Sequence, residues 1–170
     1  MASSAEDENE IKLTLSPGDL EKVFKNLSKK AKGDIKHKFR PRLYYDTEDF
    51  DLYKNNISLR VQYKRGGKGR LGAYEQTIKI ENGASSVPGV LSRKECKDDI
   101  GGPLPDFSAV SNALAKAAIQ PFAGKKLGHI FTAAMERRYF ILSAKDRKKK
   151  AKLEIAFDVG YLVLPGGAAQ

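Results

Sequence analysis

A single cysteine, Cys96, stands in 170 residues, so no disulfide can form within the chain. No stretch approaches the roughly 18 apolar residues that a membrane-spanning helix requires, and the opening MASSAED has neither the basic start nor the apolar run of a secretory signal. A cytoplasmic, reducing setting is therefore expected, with no membrane partner. His37 and His129 stand apart, with no cysteine or carboxylate at ligand spacing, which argues against zinc. Cys96 likewise has no partnered base nearby in sequence and reads as a core thiol rather than a nucleophile. There is no internal repeat and no interior boundary. Residues 1–7 read as a disordered leader and residues 8–170 as one domain, long enough for a real core.

What the chain does have is positive charge. Against 21 acidic residues stand 31 basic ones, a formal +10, so some surface or site should attract anions. The basic run from Lys145 to Lys152 is read as a solvated hairpin tip, and no specific nucleic-acid partner is expected.

Local patterning predicts an α+β chain. Ser16, Pro17 and Asp19 carry the signals of a helix start, and Leu20, Val23, Phe24 and Leu27 share one face of a helix running to about Lys29. Lys30 to Pro41 reads as a basic loop. Strands with a period of two follow at 42–47, 57–63, 71–81 and 89–97, with KRGGKGR (64–70) as a hairpin loop. A second helix is expected from Asp106 to about Ala118, then strands at 135–143 and 151–159. The opening strand, ENEIKLTL (8–15), alternates Glu8, Glu10 and Lys12 with Ile11, Leu13 and Leu15.

The polar faces of these strands are unusually charged. Glu8, Glu10, Lys12, Arg60, Thr77, Lys79, Arg93, Glu95, Arg137, Glu154 and Asp158 are spread over six strands. An antiparallel barrel with its apolar face turned outward, under the helices, would gather them inside as a charged tunnel. Buried charges must be paired or ligated, so such a tunnel calls for a charged ligand and a metal ion.

These residues resemble the CYTH domain family, the triphosphate tunnel metalloenzymes. Glu8-Asn9-Glu10-Ile11-Lys12 matches its ExExK signature, and the likeness continues in order through LYYDTEDFDLYKNNISLRVQ, YEQTIK, the Arg-x-Glu of SRKECK, MERRYF and KLEIAFDVG. The resemblance implies metal-dependent hydrolysis of inorganic triphosphate or a related organic triphosphate. Class IV adenylyl cyclase chemistry on ATP, or non-catalytic binding of polyphosphate or nucleotide, are the alternatives. It also implies roles. Lys12, Arg60, Lys79, Arg93 and Arg137 would contact phosphate, with Arg acting as a two-pronged fork and Lys as a movable point charge. Glu8, Glu10, Glu154 and Asp158 would serve Mg²⁺ or Mn²⁺, hard cations that take oxygen ligands. Glu10, Lys12 and Asp158 would be the catalytic residues, and Glu154 and Asp158 would serve the same ion or orient the attacking water. Glu95 would instead pair with the arginines.

Two departures from the family pattern stand out. Gln62 occupies a position where members commonly carry a second arginine. The acidic Glu-x-Glu strand that usually follows the strand ending near Gly160 has no counterpart in LVLPGGAAQ, so the expectation is either a domain incomplete at its C-terminus or a wall completed by Tyr161 to Leu164 and a neighbouring molecule, and a dimer is worth testing.

Overall fold

Alternating apolar residues make strands here because each strand can bury one side. The computed structural model describes residues 5–31, 35–66, 72–81, 90–145 and 150–166. Its strands are β1 (Glu6–Glu10), β2 (Lys36–Thr47), β3 (Ile57–Lys64), β4 (Ala73–Glu81), β5 (Leu91–Ile100), β6 (Leu127–Lys145) and β7 (Lys150–Val163), and its helices are α1 (Pro17–Ser28), α2 (Asp51–Lys54) and α3 (Ala113–Ile119). The strands join one sheet in the order β1-β5-β4-β3-β2-β6-β7, antiparallel at each pairing with a resolved register. The α+β antiparallel fold is as expected. The order is linear, with β1 and β7 at its ends and no pairing between them among the described residues.

The chain forms two compact units, one from residues 1–12, 41–133 and 162–170, the other from 13–40 and 134–161. In the first, Leu59, Val61, Ile78 and Cys96 lie on one face of the sheet and are fully or almost fully buried with Leu52 of α2 and Ala115 and Ile119 of α3. Cys96 is thus the core thiol that the alternation indicated, and burial pushes its pKa up. The four-residue α2 owes its existence to Asp46, a buried carboxylate that accepts hydrogen bonds from the backbone N–H of Thr47, Leu52 and Tyr53. Phe50 and Asn56 flank it in left-handed conformations, each with φ of 58°.

In the second unit, Ser16 caps α1 as expected, accepting from the Asp19 N–H at 3.2 Å. Leu20, Val23, Phe24 and Leu27 are its half-buried face. Phe24 meets the Phe157 ring edge-on at 5.1 Å and the Phe140 ring at 6.2 Å, while Arg138 lies over the Phe24 ring and pairs with Glu21. Gly160 of β7 lies so close to β6 that a Cβ there would sit 2.1 Å from the carbonyl oxygen of Ala134. Gly160→Ala must push the strands apart and should cost roughly 1–3 kcal/mol, read as a lowered urea midpoint. An unchanged midpoint would show the contact to be looser than this.

Several boundaries differ from expectation. β1 starts at Glu6 and stops at Glu10, so Lys12 lies beyond it, and Ile11 and Leu13, expected on the outward face and covered by helices, are 65% and 81% exposed. The cause is its partner: the pairing ends at Glu10 opposite Leu91, the first residue of β5. The expected basic loop 30–41 is strand from Lys36 onward, where Lys38 sits 4.4 Å from the Tyr139 ring centre. β6 starts eight residues before the expected strand, and β7 continues through Gly160. Asp106 caps a 3-10 turn, Phe107–Ala109, and α3 starts only after Asn112, which accepts from the N–H groups of Leu114 and Ala115. Residues 67–71 of the expected hairpin loop and the start of strand β4, residues 82–89, the tip 146–149 and leader residues 1–4 lie outside the described residues.

Candidate functional site

Strand register turns the charged alternation of the sequence into rungs across one face of the first unit. Glu6 faces Glu95, which faces Lys79, which faces Ser58. The next rung runs Lys97, Thr77, Arg60, Tyr44, and another sets Glu8 against Arg93. Because side chains alternate, this face is the reverse of the apolar core. Four carboxylates, Glu6, Glu8, Glu10 and Glu95, meet four cations, Arg60, Lys79, Arg93 and Lys97.

The geometry is close. Lys79 Nζ donates to Glu8 Oε2 at 2.7 Å and lies 3.3 Å from Glu95 Oε1. Arg93 spans the two acids of β1, with Nε 2.6 Å from Glu8 Oε2 and Nη2 2.5 Å from Glu10 Oε2. Arg60 Nη2 and Lys97 Nζ reach Glu95 at 3.1 and 3.0 Å. Lys79 and Glu95 are both buried, so these pairings are poorly screened by solvent. A cleft of about 90 Å³ opens beside Lys79 and Arg93, with Tyr53, Asn56, Ser58 and Glu81 also on its walls.

Ionisation follows from this setting. Burial pushes the Glu8 carboxyl up, but hydrogen bonds from Arg93 and Lys79, and their charges, outweigh it and hold the pKa at about 2. Burial also raises Glu95, and there Lys79 and Lys97 reverse it to a net lowering. Lys79 moves down as well, because burial and the nearby Arg60 charge exceed the pull of Glu8 and Glu95. Both partners of the Glu8–Lys79 pair thus shift downward, Lys79 being the more deeply enclosed. With its folded value below the ordinary 4.5, Glu8 contributes stability in full above pH 4.5 that is lost as pH falls toward about 2. Urea midpoints followed across that window should fall more steeply for the wild type than for Glu8→Gln; parallel curves would remove Glu8 from the acid limb.

The structure brings together Glu8, Glu10, Arg60, Lys79 and Arg93. Lys12 remains near them, 3.7 Å from Glu10, though its side chain is 61% exposed and outside the strand. Arg137, Glu154 and Asp158 form a cluster in the second unit, where Arg137 grips Asp158 in a fork of 2.7 and 2.6 Å and Glu154 stands 3.6 Å away. Sequence reasoning placed Glu95 outside the site set and overlooked Lys97 and Glu6. The signal was present, since Arg93-x-Glu95-x-Lys97 and Glu6-x-Glu8-x-Glu10 continue the same alternation. Of the two tyrosines, Tyr45 is in the core and Tyr44 stacks on Phe131 at 4.5 Å from the polar face.

Among the described residues no three of His, Cys, Asp and Glu are grouped as a metal cage. Mg²⁺ does not need one, since it is usually held by one or two carboxylates with water and phosphate filling the rest. Glu8 and Glu10, two residues apart on β1 and each engaged through Oε2, fit that requirement as hard oxygen donors.

A family model described as CYTH domain matches residues 6–164. No curated protein matches the sequence. Among solved structures, a Bacillus halodurans protein described as a "putative adenylate cyclase" is similar, at 16% identity over 92% of this chain and 74% of that one, with a TM-score of 0.41. No described helix is long and apolar enough to cross a membrane.

Proposed function

Because the chain belongs to the CYTH domain family, whose members typically act on triphosphates with a divalent metal ion, we propose that it hydrolyses inorganic triphosphate or a related organic triphosphate. The observation that carries this reading is the charge-balanced face in which buried Lys79 and Glu95 sit between Arg60, Arg93 and Glu8. Each acid there is paired with a cation. A metal-bound triphosphate offers each side an exchange partner, an anion for the cations and a cation for the acids.

In this reading Glu8 and Glu10 would hold Mg²⁺ or Mn²⁺, which would supply charge neutralisation on the phosphates and activation of water. Lys79, Arg93 and Arg60 turn from the carboxylates to phosphate oxygens, and exposed Lys12 reaches the same anion. Cleavage of a terminal phosphoryl group is mostly positioning and charge stabilisation, which such cations provide. Water adds to the terminal phosphorus, the bridging P–O bond breaks, and orthophosphate leaves with diphosphate as the other product. The phosphate role of Arg137 and the metal roles of Glu154 and Asp158 are proposed from the family motifs in which they lie.

The test is phosphate release from tripolyphosphate, ATP and thiamine triphosphate with Mg²⁺ or Mn²⁺, alongside detection of cyclic AMP. Metal-dependent phosphate release is the expected result. Cyclic AMP from ATP would replace the hydrolase reading with a cyclase one, and binding without turnover of any substrate would leave a non-catalytic binder.

A further inference from the structure

Among the described residues, Thr77 Oγ1 and Arg60 Nε on the charged face are buried and find no hydrogen-bond partner. They are neighbours by register, since Arg60 of β3 lies directly opposite Thr77 of β4, and residues so placed have Cβ atoms about 5 Å apart. Thr77 is fully enclosed, at 0% exposure, so solvent does not satisfy its hydroxyl. An orphaned buried donor costs free energy, and sheet proteins rarely keep two side by side without a use for them.

The surroundings identify what is missing. The guanidinium Nε can only donate, so its partner must be an acceptor. Thr77 also faces Lys97 across the β4–β5 pairing and is two residues from Lys79 on the same face. Two cations, Lys79 and Lys97, therefore flank the orphaned pair, and both share the Glu95 carboxylate with Arg60, so the acceptor this corner of the face is built to engage is an anionic oxygen. The flanking groups are long side chains, which can swing to admit such an oxygen where a strand could not.

We infer that Thr77 is a substrate-binding residue: its hydroxyl and Arg60 Nε together hold one phosphate oxygen of the triphosphate. This rests on the triphosphate reading above. It adds to the charged residues a neutral donor that fixes where along β4 the anion sits, because a hydroxyl on a β-branched side chain moves far less than a lysine head.

The test titrates tripolyphosphate into the full chain by calorimetry, once in EDTA and once with Mg²⁺, and compares wild type, Thr77→Val and Thr77→Ser. Valine keeps the shape and removes the orphaned donor, so the ligand-free melting temperature should hold or rise. Its affinity should fall about tenfold, as expected for a lost hydrogen bond to a charged group, while serine binds like wild type. Valine binding as tightly as wild type overturns the inference alone. So does weaker binding with a lowered melting temperature, or failure of serine to restore it, since both mark a structural role. A wild type that binds tripolyphosphate in neither condition overturns the inference together with the proposed function.

Discussion

Lys79→Met is expected to reduce turnover of the triphosphate substrate by about 10²–10³-fold, the usual consequence of removing one preorganised charge donor. The same change should be felt in stability, because methionine leaves Glu95 buried without its nearest β4 partner. Breaking a buried pair commonly costs 3 kcal/mol or more, and about 3 is expected here because Arg60 and Lys97 still reach Glu95. The pH dependence separates this from simple loss of packing. In the wild type Glu95 is held below its ordinary value of 4.5, with Lys79 as the leading charge that lowers it. The gap in stability between wild type and variant should therefore be full at neutral pH and narrow as pH falls below 4.5, where Glu95 is protonated in the unfolded chain. A gap that is constant with pH would assign the effect to packing instead.

Glu10→Gln should abolish metal-dependent turnover, lowering it by about 10²-fold or more, while leaving the fold intact. Glu10 is the better test of the two β1 acids because it is less committed: Arg93 holds it at 2.5 Å and Lys12 stands off at 3.7 Å, whereas Glu8 is shared by Arg93 and Lys79. A partly exposed ion pair contributes less than about 1 kcal/mol, so melting should barely move. Titrating Mn²⁺ against rate should show half-activation displaced to higher metal concentration. Unchanged rates and an unchanged metal curve would remove Glu10 from the site.

The charged face was legible wherever alternation runs uninterrupted. Arg60 and Gln62 on β3 and Thr77 and Lys79 on β4 fall on the polar side with Leu59, Val61 and Ile78 beneath, as period two requires. Other features depend on what a strand meets rather than on its own pattern. ENEIKLTL alternates to Leu15, but pairing to β5 lasts only to Glu10, so the row Ile11, Leu13, Leu15 gained no cover. The first residues of β2 read as loop because three of five are basic, and their partner ring, Tyr139, lies about a hundred positions later. The single turn of α2 is too short to show a helical period, and it exists because one carboxylate, Asp46, collects three backbone donors. Glu95 was visible but ambiguous: only the register, which brings three cations to it, made it central.

Glu8 and Glu10, the two acids proposed to hold the metal, ride on the strand at one end of the sheet order. β1 is hydrogen-bonded to β5 through five residue pairs and has no described neighbour on its other side. Detachment of that short segment is the kind of sub-global opening that hydrogen exchange detects, and it would carry Glu8 and Glu10 away in one event. Strand docking and ligand occupancy are then linked equilibria: whatever bridges Glu8 and Glu10 to groups on β4 or β5 also shifts β1 toward its paired state, adding to the five residue pairs and the ion pairs of Glu6, Glu8 and Glu10 that hold it.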